Sequence, residues 1–245
     1  MPASLPTSRL LPSYGRRRGR KLRSGKQSLI DTQLPRLQLS LRDVEAWGCG
    51  DRKENFISCF SPIPLSPHPP IFLEIGFGGG EHLAHLAQRY PNTVLIGCET
   101  YINGIGDLLK KISAEALTNI RLFTEDARLL IEKLPNACLD KVFILYPDPW
   151  PKVRHHKRRI ISKEFLDNIA RTMKPGAELR LATDHSDYAT WMLEQLLAHP
   201  AFQWTGKRCD DWLKPWTDWI PTKYEQKRLA GMPTYLTFIC HPERA

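Results

Sequence analysis

The chain lacks the features that mark membrane, secreted and metal-binding proteins. No apolar run approaches the roughly 20 residues that a membrane-spanning helix needs, and the N-terminal region has no apolar core of the kind found in secretory signals. The six cysteines are scattered and contain no C-x-x-C pair, which argues against a zinc site and, in a chain of 245 residues, against a disulfide framework. We therefore expect a protein of the reducing cytoplasm, with no metal and no membrane partner.

Acidic residues are missing from two stretches that are rich in arginine and lysine. Residues 1–26 contain eight basic side chains and no acid, so they hold most of the net charge of +9. Residues 150–163 contain six more basic side chains, again without an acid. Concentrated positive charge indicates a polyanionic partner, because each cation that neutralises a phosphate releases counterions. A solvated tail and an arginine-rich transit peptide are alternatives for the first stretch.

From residue 71 onward the sequence alternates between short apolar runs and segments with apolar residues at helical spacing. The segment with Phe165 and Met173 is predicted to be a helix that ends at Pro175-Gly176. Continuous apolar strands that alternate with helices predict an α/β fold with a doubly wound, mostly parallel, seven-stranded sheet. The strands are predicted at 71–75, 93–98, 120–123, 142–145 and 179–182, with a final pair at 202–204 and 235–240.

The chain divides into three parts on this basis. Residues 1–40 are predicted to form a basic N-terminal arm, residues 41–70 a connector, and residues 71–245 the α/β domain. The connector contains five prolines between residues 61 and 70, which indicates an extended conformation. Five apolar residues of the arm offer contacts for docking: Leu29, Ile30, Leu34, Leu37 and Leu39.

The first predicted strand ends in a glycine-rich loop, Glu74-Ile-Gly76-Phe-Gly78-Gly-Gly-Glu81. Glycine allows a tight turn and a close approach of the backbone to a ligand, so Gly76 and Gly78 are candidate contacts. A dinucleotide-binding fingerprint would need glycine at position 81, where the charge of Glu81 would repel a pyrophosphate. The pattern acid-x-G-x-G-x-G instead suits a ligand that has a cationic end and no phosphate.

Acidic residues lie at or just after the ends of five predicted strands. Ligands of doubly wound sheets bind beyond the carboxyl ends of the strands, so these acids are predicted to surround one site. Glu99 follows the glycine loop by about 20 residues, the spacing of a carboxylate that binds ribose hydroxyls. Asp126 suits an adenine amino group, and a helix N-cap is the alternative for any one of the acids, Asp184 in particular. The five are Glu74, Glu99, Asp126, Asp148 and Asp184.

The fourth predicted strand continues into the loop Tyr146-Pro-Asp148-Pro-Trp150-Pro-Lys152. Three prolines make this loop stiff and non-helical, so that it can hold a side chain against a planar base. A basic run follows at once, and a base pocket beside phosphate-binding residues is the arrangement that a nucleic-acid enzyme needs. At least two of the C-terminal tryptophans (Trp212, Trp216, Trp219) are predicted to pack a C-terminal lobe. The basic run consists of Arg154, His155, His156, Lys157, Arg158 and Arg159.

Four segments together resemble the bacterial tRNA (guanine-N7)-methyltransferases, over about residues 70–245. They are residues 74–80, 146–159, 182–184 and 222–225. The resemblance implies a class I methyltransferase fold and transfer of a methyl group from S-adenosylmethionine to N7 of guanine 46 in the variable loop of tRNA. Residues 100–103 and 56–70 depart from the family pattern, which bears on the rim of the cofactor pocket and on the docking of the arm.

The resemblance also implies roles for individual residues. Asp148 would be catalytic, and Glu74, Glu99, Asp126 and Asp148 would contact the cofactor or the active centre. Residues 154–159 would bind RNA, with tRNA as the partner of a monomer or small homo-oligomer. Three rival functions are a small-molecule methyltransferase with an unrelated basic tail, an RNA-binding protein on a degenerate methyltransferase fold, and a nicotinamide oxidoreductase. The implied substrate contacts are Lys152, Asp184, Thr222, Lys223, Tyr224 and Glu225.

Overall fold

A computed structural model describes residues 17, 19, 21–48, 69–222, 224–227 and 231–241 of the chain. Two short 3-10 helices lie among its described elements, at Val153–Arg158 and Glu225–Lys227. The helices and strands are α1 (Ser24–Thr32), α2 (Leu34–Leu37), α3 (Leu41–Gly48), β1 (Ile71–Ile75), α4 (Glu81–Arg89), β2 (Val94–Cys98), α5 (Ile102–Ala114), β3 (Ile120–Phe123), α6 (Ala127–Lys133), β4 (Leu139–Leu145), α7 (Lys163–Thr172), β5 (Met173–Thr183), α8 (Ser186–Leu197), β6 (Phe202–Trp204), α9 (Asp210–Leu213) and β7 (Thr234–Cys240).

The seven strands form one sheet in the order β3-β2-β1-β4-β5-β7-β6. The first five strands pair in parallel, and β7 runs antiparallel to both β5 and β6. The predicted doubly wound sheet is therefore confirmed, including the final strand pair. Strand order reverses between β1 and β4, and the carboxyl ends of these two strands are where such a sheet binds its ligand.

Both faces of the sheet are covered, which explains why the strands read as continuous apolar runs. Successive side chains of a strand point to opposite faces. In β1, Leu73 and Ile75 pack into one core cluster, and Phe72 packs into the other with Phe143 of β4. All five residues of β1 are buried, so the loop that follows it extends from a rigid support.

The strand β5 is longer than the sequence predicted. It begins at Met173 rather than at Leu179, and Pro175-Gly176 lies inside it instead of closing the preceding helix. The pairing with β4 shifts between Leu139 and Lys141, which accommodates the extra residues of β5 as an irregularity. Gly176 has a φ of +81°, the backbone conformation that such an irregularity favours in glycine.

The described part of the N-terminal region is helical and packs on the domain. The five predicted docking residues all make core contacts: Leu34 and Leu39 are buried, and Leu29, Ile30 and Leu37 pack against the core. After α2 the chain forms a parallel bridge from Gln38 to Leu122, at the edge of β3. Residues 41–48, which the sequence assigned to the connector, form α3. Among the helices described here, none combines the length and the apolar character needed to cross a bilayer.

Candidate active site at the carboxyl edge of the sheet

The glycine loop after β1 leaves open space at the point where the strand order reverses. Gly76 and Gly78 have φ values of +76° and +54°, and a Cβ atom added to either would meet no atom within 4 Å. Their backbone therefore faces an unfilled region at the edge of the sheet. A loop of this kind admits a ligand to direct contact with the main chain, so both glycines fit the predicted cofactor contact.

The helix α5 packs unusually close to this loop. A Cβ atom added to Gly104 would lie 2.2 Å from the carbonyl oxygen of Gly78, so only glycine allows the approach. Lys111 of the same helix donates to the carbonyl oxygen of Gly79 at 2.8 Å and pairs with Glu81 at 3.3 Å. The loop is held from outside, and the charge of Glu81 is balanced by Lys111.

Glu99 is fixed by the backbone at the end of β2. Its carboxylate accepts hydrogen bonds from the N–H groups of Gly78, Thr100 and Tyr101 at 2.7 to 2.9 Å. Burial raises the pKa of Glu99, the three backbone donors oppose that rise, and the negative charge of Asp148 adds to it. Each carboxylate oxygen has lone pairs beyond those that these donors use, so Glu99 fits a ribose-binding role.

Asp126, at the end of β3, is the N-cap of α6. Its carboxylate accepts a hydrogen bond from the backbone N–H of Arg128 at 3.0 Å, and it forms an ion pair with the guanidinium of the same residue at 2.6 Å. Burial alone would raise the pKa of Asp126, but the hydrogen bonds and charge of Arg128 lower it, helped by the charge of Arg17. Asp126 is therefore a helix N-cap, the alternative that the sequence left open for each of the five acids.

Glu74 does not join the other acids at the edge. It is 3% exposed, and the Nδ1–H group of His82 donates to its Oε2 atom at 2.9 Å. The predicted contact of Glu74 with the cofactor does not fit this arrangement, because β1 turns the side chain inward toward the face that α4 covers. The sequence missed this because position 74 lies inside the strand, where the alternation of side chains decides which way each one points.

Asp148 occupies the centre of the edge, on the proline-rich loop. Two non-glycine residues of this loop, Tyr146 and Trp150, have φ values of +49° and +44°, a strained conformation that clusters at functional sites. The Asp148 side chain is accessible, yet its surroundings partly desolvate it and raise its pKa. Its charge adds to the raised pKa of Glu99, and it contributes to the raised pKa of Tyr224.

The segment before β7 forms the opposite wall. Tyr224 lies 5.2 Å from Tyr146 between ring centroids, and burial, followed by the charges of Asp184 and Asp148, raises its pKa. Glu225 accepts hydrogen bonds from Tyr235 at 2.6 Å and from the Trp219 indole at 3.0 Å. Aromatic rings and carboxylates thus lie together before β7, a combination of groups suited to a planar base.

The four remaining predicted substrate contacts differ in their positions. Asp184 is 7% exposed, and the N-cap of α8 is His185 rather than Asp184, so the capping alternative is wrong for this acid. The hydroxyl of Thr222 accepts the backbone N–H of Glu225 at 3.2 Å and shapes the turn. Lys152 is exposed at the start of the basic run, and Lys223 lies outside the described residues.

The basic run divides into surface and interior residues. Arg154 and Lys157 are exposed, and the guanidinium of Arg158 stacks 4.9 Å from the Trp150 ring. The rings of His155 and His156 lie partly buried against the rings of Trp150 and Trp191, at centroid distances of 5.9 and 5.6 Å.

The surroundings of Arg159 do not suit the predicted role in RNA binding. Its side chain is 1% exposed, donates to the carbonyl oxygen of Pro149 at 2.9 Å, and pairs with Asp187. The guanidinium also lies over the rings of Tyr188 and Trp191, at 4.9 and 5.1 Å. It therefore anchors the proline-rich loop to α8. Position in a run of charge could not reveal this, since burial depends on the packing of a later helix.

Sequence reasoning also missed the contact between the arm and the rim of the edge. The backbone N–H of Ile102 donates to the carbonyl oxygen of Arg17 at 3.2 Å, and Lys26 pairs with Asp107 at 2.7 Å. A cavity of about 530 Å³ lies between residues 19–27 and the start of α5. The one signal in the sequence was the unusual segment after Glu99, to which this part of the arm docks.

The two C-terminal tryptophans nearest β6 and β7 pack as predicted. Trp212 stacks on Trp204 at 6.1 Å, and the Trp216 indole donates to the Thr237 hydroxyl at 2.8 Å. Trp219 is different, since it faces both His82 and Glu225. Within the described ranges, no group of three or more His, Cys, Asp or Glu side chains is arranged to hold a metal ion.

Known proteins resemble the chain over most of its length. A family model described as "Putative methyltransferase" matches residues 68–234. A tRNA (guanine-N(7)-)-methyltransferase of Rhodospirillum rubrum is 44% identical over 236 residues, which cover 95% of this chain and 89% of that protein. The protein of the same name from Caulobacter vibrioides strain NA1000 is 42% identical over 230 residues, with 93% and 94% covered.

Solved structures share the architecture at low identity. The 16S rRNA methyltransferase KamB superposes with a TM-score of 0.54 at 16% identity, over 76% of this chain and 93% of that chain. An antibiotic-related methyltransferase gives a TM-score of 0.51 at 18% identity, over 77% and 93%. These similarities show the class I methyltransferase fold.

Proposed function

The chain belongs to the tRNA (guanine-N(7)-)-methyltransferase family, and we propose that it methylates N7 of guanine 46 in the variable loop of tRNA. It is a methyltransferase, and the family and the fold imply S-adenosylmethionine as the cofactor. The observation that carries the proposal is the position of Asp148. The charge of this carboxylate acts on both Glu99, after β2, and Tyr224, before β7, and exposed Arg154 and Lys157 follow it in the chain.

Methylation at N7 of guanine requires little proton transfer by the protein. N7 of guanine carries a free lone pair, so no base has to remove a proton before the new N–C bond forms. S-adenosylmethionine, when bound, supplies an electrophilic methyl group on a positively charged sulfur. Positive charge then moves onto the guanine ring as the S–C bond breaks. Catalysis should therefore come from alignment of the reactants and from fixed negative charge beside the base.

The residues of the edge fit these two demands. Gly76 and Gly78 would lie against the cofactor, and Glu99 would accept hydrogen bonds from the ribose hydroxyls of the cofactor. Asp126 would accept a hydrogen bond from the adenine amino group, through lone pairs that Arg128 does not use. Asp148 would hold the edge of the guanine and supply the negative charge. Its partial desolvation strengthens the attraction between the ionised carboxylate and the cationic guanine, since electrostatic interactions grow as water is excluded.

The substrate side would hold the base and the RNA backbone. Asp184 and Glu225 would orient the guanine, and the ring of Tyr224 would stack on it. Lys152, Arg154 and Lys157 would neutralise phosphates, which position the RNA without reading its sequence. Thr222 and Lys223 complete the proposed substrate segment. We propose that the protein acts in the cytoplasm as a monomer or small homo-oligomer.

A methylation assay tests the proposal. Purified protein is incubated with labelled S-adenosylmethionine and an unmodified tRNA transcript, and N7-methylguanine is mapped by chain cleavage at the modified base. We expect one cleavage site, at guanine 46, and none in a transcript with adenine at that position. Label at another guanine would overturn the position, and a transcript without label would overturn the activity. A steep fall of tRNA affinity with salt separates this function from that of a small-molecule methyltransferase.

A further inference from the structure

The buried pair of Glu74 and His82 connects the glycine loop to the wall of the pocket. His82 is the second residue of α4, directly after the loop, and is 2% exposed. Its Nδ1–H group donates to Glu74 at 2.9 Å, so the ring has one fixed orientation. The rings of Phe143 and Trp219 lie 4.9 and 5.2 Å from it. Burying a carboxylate is costly unless it is paired, so Glu74 and His82 hold each other in place.

Trp219 connects His82 to Glu225, on the proposed substrate side of the site. Its indole N–H donates to Oε2 of Glu225 at 3.0 Å, while the hydroxyl of Tyr235 donates to Oε1 at 2.6 Å. Glu225 follows Tyr224, which lies in the field of Asp148. The ring of Trp219 is thus placed between a rigid buried pair on one side and a carboxylate of the pocket on the other.

We propose that His82 is a positioning residue for the methyl acceptor: held by Glu74, it fixes Trp219, and Trp219 in turn fixes Glu225 against the guanine. The inference rests on the proposed function. Its physical basis is that the Trp219 indole donates to Glu225 in only one ring orientation, and that His82 holds this orientation together with Trp216 and Tyr235, whose rings lie 5.5 and 5.6 Å from Trp219. His82 would therefore act on tRNA binding, although it lies beside the glycine loop and contacts no part of the proposed substrate.

Three variants and one matched control test this role. His82→Asn keeps an amide that can donate to Glu74 but removes the ring beside Trp219. Trp219→Phe keeps an aromatic ring but removes the donor to Glu225, and the double variant combines the changes. His199→Asn is the control, because His199 is also buried, pairs with Asp167 at 3.0 Å, and lies 5.2 Å from the ring of Phe202 in the edge strand β6.

The readouts are kcat and KM for unmodified tRNA at saturating cofactor, and the Kd of S-adenosylmethionine by calorimetry. We expect His82→Asn to raise KM for tRNA about tenfold, while the cofactor Kd stays within about twofold of the wild-type value. Trp219→Phe should raise KM to a similar extent, and the double variant no further, because residues that act in series are not additive. His199→Asn should leave KM unchanged.

Three results would overturn the role of His82. They are an unchanged KM in His82→Asn, a multiplied loss in the double variant, and an equal rise in His199→Asn. If His82→Asn does not fold, His82→Gln replaces it under the same criteria, with the thermal melt of each variant measured alongside. A wild-type protein that does not methylate tRNA would overturn the proposed function itself, whereas an active wild type with an insensitive His82 would overturn this inference alone.

Discussion

The two sides of the candidate site are built in different ways. On the proposed cofactor side, the site is formed mainly by the backbone. Glycines with positive φ open the loop, and three backbone N–H groups hold Glu99. On the substrate side, side chains from separate parts of the chain contact each other. Tyr146, Trp219 and Tyr235 come from three segments and meet around Glu225.

This difference decides how each side should respond to change. A backbone-built site depends on glycine for two reasons: the positive φ of Gly76 and Gly78, and the close packing of Gly104 on the loop. A site built from side chains depends on the charge of each group and on the contacts between neighbouring groups. A single substitution there should therefore change one property, which is the methyl-transfer rate, the affinity for RNA or the stability.

The largest effect should come from the charge of Asp148. Asp148→Asn keeps the shape of the side chain and removes its negative charge, so turnover should fall by about 100-fold or more. The Kd for tRNA should change less than about threefold, because the phosphate contacts remain. Single-turnover methyl transfer and a binding titration measure the two quantities. Asp211→Asn, at an exposed acid that caps residues 207–208, is the control, and an unchanged turnover number would remove Asp148 from the mechanism.

Gly104 tests the cofactor side. A Cβ atom at this position would lie 2.2 Å from the Gly78 carbonyl oxygen, so Gly104→Ala must push α5 away from the glycine loop. We expect the Kd of S-adenosylmethionine to rise about tenfold, with a loss of stability of about 1–3 kcal/mol. Calorimetry and thermal melting give both values. Gly25→Ala is the matched control, since a Cβ atom there meets nothing within 4 Å; an unchanged cofactor Kd in Gly104→Ala would show that the close packing is dispensable.

Arg159 and Arg154 separate the interior from the surface of the basic run. Arg159→Ala removes a buried guanidinium that bonds Pro149 and Asp187, and should lower the free energy of unfolding by about 2–4 kcal/mol. Arg154→Ala should leave stability within about 0.5 kcal/mol and reduce the slope of log affinity against log salt by about 1. Denaturant titration and tRNA binding at several salt concentrations measure the difference.

A third substitution controls for the loss of any surface cation. Lys133 lies at the C-terminal end of α6, remote from the strand edge, and pairs with Glu45. Lys133→Ala should change neither the salt slope nor the affinity for tRNA. If Arg159→Ala alters the salt slope as much as Arg154→Ala does, the division of the basic run is wrong.

The pH profile should show the smallest effect. Burial raises the pKa of Glu99, and desolvation raises that of Asp148, so both bind protons at a higher pH than ordinary carboxyl groups do. Because the charged form is the one needed, kcat/KM should fall as the pH drops through these raised values and stay level above them. Steady-state rates between pH 4 and 8 test this. An acid limb at the ordinary carboxyl pKa would contradict the desolvated site.

The sequence predicted which groups follow the strands better than it predicted which side chains are buried. Glu99 directly follows β2 and Asp148 comes soon after β4, so chain order alone predicts both acids at the carboxyl edge. The direction of a side chain within a strand was beyond the same reasoning, and Glu74 was assigned to the cofactor although it bonds His82. Arg159 was assigned to RNA for a similar reason, since charge in a sequence does not reveal burial.

Local and short-range signals, which act between neighbours in the chain, determined the doubly wound sheet, the glycine loop, the stiff proline-rich loop and the positions of the acids after the strands. Tertiary structure alone decided which of these groups meet. The contacts among Glu74, His82, Trp219 and Glu225 join residues up to 151 positions apart, as their numbers (225 − 74) show. Such contacts depend on how helices and loops pack across the finished sheet, and no local pattern encodes that packing.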